Sequence, residues 1–200
     1  NGFESILAAL QAPEGVLNIL GNHDYGDYLN WRDKKLKEKN MRDMVDYFSR
    51  LHWTLLRNSH FVVNRGNDSI VIIGVENWGY TKRFQRFGDV ATAQAGAEDF
   101  SFKLLLSHDP SHWEHIISRH YTDIDLTLSG HTHGGQVGID CYGFGWSPAK
   151  LVNAFWRGLY VKTHQTCRQY LYVNQGLGTI GYAGRIGIKP EITIFTLLKE

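Results

Sequence analysis

The chain has 200 residues, of which 42% are hydrophobic and 20% are charged, enough for one medium globular domain with a sizeable core. Its 21 Lys and Arg residues nearly balance its 20 Asp and Glu residues, and a net charge of +1 gives no general case for nucleic-acid binding. No apolar run reaches the ~18 residues of a membrane-spanning helix, and no signal peptide opens the chain, so we expect this chain itself to be soluble.

The first half of the chain predicts helices alternating with strands. Residues 3–10 place apolar side chains on one helical face, and the run VLNIL at 16–20 is typical of a buried strand. The polar stretch 31–51 predicts a long helix, whose basic first half is either a solvated face or a lid or patch that meets an anionic surface. Two β-rich runs, HFVVNR and SIVIIGVE, predict a hairpin, and the small-residue segment 89–100 predicts a short helix.

The second half predicts a similar alternation. The run KLLLS at 103–107 predicts a buried strand, and the helix after it has Ser111 as a candidate N-cap with Glu114 at capping-box spacing. Further strands are predicted for IDLTLS, RQYLYVNQ and EITIFTLL, and a helix or helical loop for SPAKLVNAFWRGLY. The order of elements predicts an α/β fold with mixed rather than purely parallel sheets.

Three of the predicted strands are followed directly by polar side chains that can bind metals. In open α/β sheets, ligands bind at the edge formed by the carboxyl ends of the strands. Three such sequences in one chain therefore predict a functional site, built from Asn22, His23 and Asp24, from His108 and Asp109, and from His131 and His133.

His131 and His133 form an HxH pair between glycines. Alternate residues of an extended segment point the same way, so both imidazoles can face one site. Surface histidine pairs are common, but a pair between glycines after a buried strand favours metal binding. His108 taken alone is more often a hydrogen-bonded residue of the core or of a strand end than a ligand, and Asp109 is a candidate partner that holds a ligand's tautomer.

The GNHD sequence combines a metal ligand with a candidate acid. Asn22 can bind a metal only through its amide oxygen. His23 is a general-acid candidate, and Asp24 would orient that imidazole and raise its pKa. The structural alternative is an Asx-type turn after a strand.

Mixed imidazole and oxygen ligands favour manganese, iron or zinc over calcium or magnesium. Asn22, His108 and His131 would make a three-ligand partial site, and His133 would belong to a second metal beside it. Two such metals can activate a bridging water and neutralise phosphate oxygens.

The glycine-rich segment from Gly176 matches GxGxxG, but no helix pattern follows it. A dinucleotide fingerprint needs a helix there, so we reject that interpretation. We expect a tight loop at the rim of the site, in which Arg185 either contacts a phosphate or is a surface arginine. Cys141 and Cys167 predict two unpaired thiols, with one disulfide as the alternative. We interpret the remaining histidines as surface or hydrogen-bonded residues: His52, His60, His112, His115, His120 and His164.

These motifs resemble the calcineurin-like metallophosphoesterase family. Its motif order is D-x-H, GD-x-x-D, GNH[DE], a single His and GH-x-H, and this chain has the last three, at Gly21 to Asp24, His108 and Gly130 to His133. The stretches GNHDYGDY, LLSHDPSHW, LSGHTHGGQ and RIGIKPEIT resemble the bacterial branch, which often carries an N-terminal membrane anchor.

The resemblance implies a sandwich of two mixed β-sheets flanked by helices, with a dinuclear site at the carboxyl ends of strands. It implies that Asn22, His108 and His131 bind one of two divalent transition metals and that His133 binds the other. It also implies that His23 is the acid or a phosphate contact, with Asp24 as its orienting partner.

The motifs D-x-H and GD-x-x-D are absent from these 200 residues. We therefore expect residues 1–200 to be a single metallophosphoesterase domain that lacks its N-terminal βαβ segment. The complete protein is expected to have ~40–60 more N-terminal residues, a length based on one further βαβ unit. The missing aspartates and any membrane anchor would lie there.

The leading functional prediction is a metal-dependent phosphodiesterase or phosphomonoesterase that uses a metal-bound hydroxide. The alternatives are a pyrophosphatase acting on a nucleotide-linked lipid precursor at a membrane, and a degenerate scaffold without activity. The basic stretch 31–42 and the aromatic residues near 146–160 would suit an amphiphilic substrate. The expected partner is a small-molecule or lipid-linked phosphoester, with no nucleic-acid specificity.

Overall fold

A computed structural model describes residues 3–141, 144–165 and 167–198. The chain divides into two compact units, Asn1–His108 and Asp109–Glu200. The expectation of one domain stays a prediction, and each unit is described by itself below.

The first unit contains helices and two groups of strands. The elements are α1 (Glu4–Ala8), β1 (Val16–Asn18), α2 (Lys34–Arg50), β2 (Trp53–Leu55), β3 (Ser59–Arg65), β4 (Asp68–Gly74), α3 (Val90–Gln94) and β5 (Lys103–Leu106). Strands β1 and β2 pair in parallel, β3 and β4 form an antiparallel hairpin, and β4 pairs in parallel with β5. The predicted hairpin, the long helix and the short helix are therefore confirmed.

The β1–β2 pair packs closely on the β3–β4–β5 sheet at Gly74. A Cβ atom at this position would overlap the side chain of Leu56 and would lie 3.0 Å from Cγ2 of Ile19. The opposite face of this sheet is buried as well, since Ile73 and its register partner Leu105, which alternate with Gly74 along the strands, are not exposed. Burying such a side chain stabilises a fold by about 1.5–3 kcal/mol. Glycine at position 74 thus lets two layers of strands meet directly.

The second unit contains three paired strands and a separate antiparallel pair. The elements are α4 (Pro110–His112), a π turn (Trp113–Ile117), α5 (Ser118–His120), β6 (Leu126–Ser129), β7 (Ile139–Cys141), β8 (Phe144–Trp146), β9 (Gly158–Thr163) and β10 (Arg168–Val173), with 3-10 turns at His133–Gly135 and Pro148–Leu151. Strand β10 pairs in parallel with β6 and antiparallel with β9, while β7 and β8 pair antiparallel. Parallel and antiparallel pairs occur in both units, which confirms the predicted α/β class with mixed sheets.

The predicted N-cap of α4 is wrong by two residues. Asp109 is the cap, because its Oδ1 accepts a hydrogen bond of 2.9 Å from the backbone nitrogen of Ser111. Pro110 occupies the first helical position, where the missing N–H costs nothing and the fixed φ suits the helix. Proline therefore places the cap at the preceding residue.

The structure departs from two further element predictions. Residues 147–160, predicted as a helix or a helical loop, form only the 3-10 turn Pro148–Leu151 before β9 begins at Gly158, so the helix is wrong and the helical loop is closer to what is found. Residues 191–198, predicted as a strand, form no strand. This segment is held by side-chain hydrogen bonds instead of ladder hydrogen bonds: the hydroxyl of Thr193 accepts a hydrogen bond of 2.8 Å from the side chain of Asn174, which follows β10. An apolar alternating pattern becomes a strand only where a partner supplies the ladder hydrogen bonds.

No helix among the described residues is long and apolar enough to cross a membrane. The longest, α2, carries lysines that form ion pairs along its exposed surface, Lys34 with Glu38 and Lys39 with Asp43. These pairs support the interpretation of its first half as a solvated face.

Candidate active site

The GNHD sequence forms a tight turn in which two hydrogen bonds join Gly21 and Asp24. The backbone nitrogen of Asp24 donates to the carbonyl of Gly21 at 3.1 Å, and the backbone nitrogen of Gly21 donates to Oδ2 of Asp24 at 2.7 Å. Burial raises the pKa of Asp24, while the hydrogen bond from Gly21 and the nearby imidazole of His23 act in the opposite direction. This is a backbone turn rather than the Asx-type turn given as the structural alternative, because the Asp24 carboxylate accepts from a residue that precedes it. Asn22 and His23 lie at the centre of this turn.

Asn22 and His108 meet within the first unit. Asn22 is only 1% exposed, and its Oδ1 lies 3.0 Å from Nε2 of His108. A Cβ atom at Gly21 would come within 2.8–2.9 Å of three atoms of the same imidazole. The His108 ring therefore occupies the space that any side chain at position 21 would need.

Tyr28 is a site residue that the sequence pattern does not reveal. Its hydroxyl accepts a hydrogen bond of 2.8 Å from Nδ2 of Asn22. Its ring stacks on the imidazole of His23, with ring centroids 4.3 Å apart and an interplanar angle of 16°. Tyr28 lies six residues beyond Asn22 in an irregular loop, where neither helical nor strand periodicity predicts which side chains meet.

The side chains of His23 and Asp24, predicted to pair, make their described contacts with other residues. The carboxylate of Asp24 closes the turn through Gly21, and the ring contact of His23 is with Tyr28. The two side chains still interact electrostatically, because the His23 imidazole lowers the pKa of Asp24. The role of Asp24 in orienting His23 stays a prediction.

In the second unit, the loop after β6 is strained. His131, His133 and Gln136 have φ values of 68°, 51° and 58°, in the left-handed region that side chains other than glycine rarely adopt. Such residues cost on the order of 1–3 kcal/mol each, persist only where their surroundings fix them, and cluster at functional sites. The expected extended HxH segment is therefore wrong, since a turn presents the two imidazoles.

Gln136 anchors this loop to the glycine-rich segment. The side chain is buried, and its Nε2 donates to the carbonyls of Tyr182 at 3.2 Å and Gly184 at 2.8 Å. Its Oε1 accepts a hydrogen bond from the backbone nitrogen of Ile180. The described residues 176–187 contain no helix, which confirms the rejection of a dinucleotide fingerprint.

Arg185 holds His133 through two contacts. Nδ1 of His133 lies 3.3 Å from the carbonyl of Gly178, and because a carbonyl only accepts, the neutral ring would carry its proton on Nδ1 and its lone pair on Nε2. Arg185 donates to that same carbonyl at 2.6 Å and to the carbonyl of His133 at 3.1 Å. It also donates to the carbonyls of Gln175 and Gly176. Its predicted phosphate contact stays a prediction, and fixing this loop is an additional role.

Asp109 lies beside His131. Its Oδ2 is 3.6 Å from Nε2 of His131, an ion-pair separation rather than a hydrogen bond. The carboxylate is buried, and its other oxygen caps α4. Asp109 is thus placed to tune the charge on His131, close to the predicted partner role.

The donor atoms of Asn22 and His108 fit a divalent transition metal. Two ligands at right angles around a cation, each about 2.1 Å from it, lie about 3.0 Å apart, as Oδ1 and Nε2 do. An amide oxygen with an imidazole nitrogen suits manganese, iron or zinc. Among the residues that the structure describes, no three His, Cys, Asp or Glu side chains converge as a complete metal site. The pair therefore fits as part of a ligand set.

The structure also tests the predictions for the two cysteines and describes the surroundings of two of the remaining histidines. Cys141 and Cys167 are both free, which confirms the prediction of two unpaired thiols. His60 contacts the carbonyl of Ala93, and burial lowers the pKa of His112 to about 3.

Comparison with known families decides the class of this fold. Residues 2–135 match the calcineurin-like phosphoesterase family. The chain belongs to that family. This assignment confirms the resemblance seen in the three motifs.

Relatives come from bacteria and animals. The chain is 31% identical over 198 residues to the uncharacterized metallophosphoesterase YkuE of Bacillus subtilis, covering 96% of this chain and 59% of the relative. It is 31% identical over 186 residues to a Danio rerio transmembrane protein with metallophosphoesterase domain, covering 88% of this chain and 37% of the relative. A solved structure, Haemophilus influenzae NAD nucleotidase, is 16% identical with a TM-score of 0.49, covering 80% of this chain and 34% of that one. The chain thus spans about three fifths of YkuE and less of the others.

Proposed function

We propose that this chain belongs to a metal-dependent phosphoester hydrolase that acts on phosphomonoesters or phosphodiesters. One observation carries the proposal: Asn22 and His108, from two separate family motifs, place an amide oxygen and an imidazole nitrogen 3.0 Å apart. The hydrogen bond from the amide nitrogen to Tyr28 leaves the oxygen of Asn22 facing His108. This is the orientation that a metal ligand needs.

The proposed metal ligands are Asn22, His108, His131 and His133. Their chemistry favours manganese, iron or zinc, and the family motifs suggest two ions. The Nδ1 contact of His133 supports ligation through Nε2, since a second-shell hydrogen bond normally fixes the tautomer of a ligating histidine. Divalent metals at such a site would neutralise phosphate oxygens and activate water.

His23 is the proposed acid for the leaving oxygen. Its ring is held against Tyr28 at the corner of the GNHD turn, next to the ligand Asn22. A neighbouring acid donates its proton as the phosphorus–oxygen bond breaks, which such groups typically accelerate about 10²–10⁴-fold. Asp24 is proposed to hold the charge of His23 through their electrostatic interaction.

The test compares variants of the full-length protein with bis-p-nitrophenyl phosphate and Mn²⁺. We expect His131→Ala and Asn22→Ala to lower kcat/KM at least about 100-fold, since ligands matter more than the second-shell groups that give 10–100-fold losses. His120→Ala is the matched control, because His120 is exposed on α5. Unchanged turnover in His131→Ala would contradict the proposal. Wild-type protein with neither bound metal nor activity would instead indicate a non-catalytic phosphoesterase fold.

A lipid-linked phosphoester, such as a nucleotide-linked lipid precursor at a membrane, is a second candidate substrate. Exposed apolar side chains on and beside the β7–β8 hairpin support it: Phe144, Trp146 and Leu151. Trp156, in contrast, is buried and unavailable to a substrate. Two relatives are named as transmembrane proteins, which also favours a membrane setting.

The two candidates differ in their preferred substrate. A panel of nucleotide-linked lipids should be hydrolysed faster than bis-p-nitrophenyl phosphate if the second candidate holds. Flotation with anionic vesicles should then weaken in Trp146→Ser. Equal rates for soluble and lipid-linked substrates, with no flotation, would contradict it.

A further inference from the structure

We propose that Tyr28 is a positioning residue that sets both the metal ligand Asn22 and the acid His23. This inference rests on the proposed function and extends it to a residue outside the family motifs. Tyr28 makes one contact with each partner through chemically different groups, its hydroxyl and its ring. The two contacts can therefore be removed separately.

The hydroxyl sets the amide of Asn22. An asparagine amide has two ends of similar shape, and only the oxygen end can bind a metal. Asn22 is buried, and its Nδ2 donates to the Tyr28 hydroxyl at 2.8 Å while its Oδ1 faces His108. Removing the hydroxyl removes the acceptor that holds the nitrogen end away from His108.

The ring sets the plane of His23. The two rings are nearly parallel, 16° apart, at a centroid distance of 4.3 Å, which is an ordinary stacking geometry for aromatic side chains. A stacked imidazole can slide but cannot tilt without losing the contact. Tyr28 therefore sets the plane in which the N–H groups of His23 lie, and so the plane of proton donation.

Tyr28 itself is held in a constrained loop. The carbonyl of Gly26 accepts hydrogen bonds from the backbone of Leu29 at 3.2 Å and from the indole of Trp31 at 2.7 Å, which pins the chain on both sides of Tyr28. The guanidinium of Arg83 lies 5.9 Å from the centre of the Tyr28 ring. A 43% exposed side chain is thus kept in place without being buried.

Two substitutions separate the contacts. Tyr28→Phe keeps the ring and removes the hydroxyl, whereas Tyr28→Leu removes both. Tyr80→Phe is the matched control, since Tyr80 is also an exposed tyrosine with an arginine, Arg86, 5.9 Å from its ring centre. All variants are made in the full-length protein, and thermal unfolding checks that each one folds.

The first readout is the Mn²⁺ dissociation constant, measured by calorimetry on protein stripped of metal. We expect Tyr28→Phe to weaken Mn²⁺ binding about 10–100-fold, the usual effect of losing a second-shell partner. We expect Tyr80→Phe to bind Mn²⁺ as the wild type does. This readout does not depend on catalysis.

The second readout is the dependence of kcat on the leaving group at saturating Mn²⁺. Aryl phosphodiesters with poor leaving groups need the acid most. Tyr28→Leu should therefore lose far more kcat with poor leaving groups than with p-nitrophenol. Tyr28→Phe should keep the wild-type dependence, because its ring still stacks on His23.

Either negative result would overturn the inference. The first negative result is that Tyr28→Phe binds Mn²⁺ as tightly as the wild type does. The second is that kcat of Tyr28→Leu depends on the leaving group as it does in the wild type. In both cases an active, metal-binding wild type would leave the proposed function standing. A wild type that neither binds Mn²⁺ nor hydrolyses diesters would overturn both. If Tyr28→Leu does not fold, the Mn²⁺ affinity of Tyr28→Phe alone tests the proposed role of Tyr28.

Discussion

The imidazole of His108 lies directly against Gly21, so close that a Cβ atom there would come 2.8 Å from Cε1 of the ring. This approach brings Nε2 of His108 to the amide oxygen of Asn22, at 3.0 Å. The glycine of the GNHD motif is therefore needed for space as well as for the turn. Its replacement should displace a proposed metal ligand.

Gly21→Ala should lower Mn²⁺ affinity at least about 10-fold and destabilise the fold by about 1–3 kcal/mol, because the added methyl group overpacks the His108 ring. Calorimetric metal titration and urea unfolding measure the two effects. Gly130→Ala is the matched control, since a Cβ at Gly130 would meet nothing within 4 Å. Equal behaviour of the two variants would contradict this account of Gly21.

Arg185 gives a prediction that separates its two proposed roles. A lysine keeps the positive charge for a phosphate but cannot reach four carbonyl groups with one ammonium. If fixing the loop dominates, Arg185→Lys should lose about 2–4 kcal/mol of stability in urea unfolding, given about 1.5–3 kcal/mol for each hydrogen bond to a charged group. Arg168→Lys, at an exposed position on β10, should change little. Full stability with a raised KM would favour the phosphate contact instead.

Asp109 should affect metal binding more than stability. Asparagine caps helices about as well as aspartate, so Asp109→Asn should keep the cap of α4 while removing the charge beside His131. We expect Mn²⁺ affinity to fall about 10-fold with a stability change within about 0.5 kcal/mol. Asp109→Ala should lose about 1 kcal/mol more, through the cap. Metal titration paired with urea unfolding tests this, and an unchanged affinity in Asp109→Asn would argue against any role near His131.

His112 should make stability depend on pH. Burial lowers its pKa to about 3 in the folded protein, so the unfolded chain binds a proton there at higher pH than the folded chain does. The free energy of unfolding therefore keeps the whole contribution of neutral His112 above pH 6.5 and loses it, by roughly 1 kcal/mol per pH unit, as the pH falls from there towards 3. His112→Gln should reduce this dependence between pH 6.5 and pH 4.5, whereas His120→Gln, at an exposed position on α5, should not. Urea unfolding at four pH values is the measurement, and identical slopes in wild type and His112→Gln would refute it.

Hydrophobic patterning located the strands that lead into the site. VLNIL, KLLLS and IDLTLS contain β1, β5 and β6, and each is followed by its motif as expected. Such strands can be identified because a short continuous run of apolar residues is a signal that the local sequence carries by itself. The sequence also allows the N-cap of α4 to be predicted, because proline favours the first helical position and Pro110 therefore indicates Asp109 as the cap.

The contacts that complete the site could not be predicted in the same way. Tyr28 and Arg185 act through side-chain bonds to residues that no periodicity connects with them. The left-handed backbone of His131 and His133 is equally hidden, because intrinsic preference disfavours it and the surrounding structure overrides that preference. Tertiary contacts therefore decide the parts of the site that local sequence leaves open.

The central claim is that Asn22 and His108 bind the same divalent metal. Anomalous X-ray diffraction from crystals of the full-length protein loaded with Mn²⁺ tests this most directly. The account predicts an anomalous peak about 2.0–2.3 Å from both Oδ1 of Asn22 and Nε2 of His108. Manganese bound elsewhere, with these two atoms still hydrogen-bonded to each other at 3.0 Å, would contradict it.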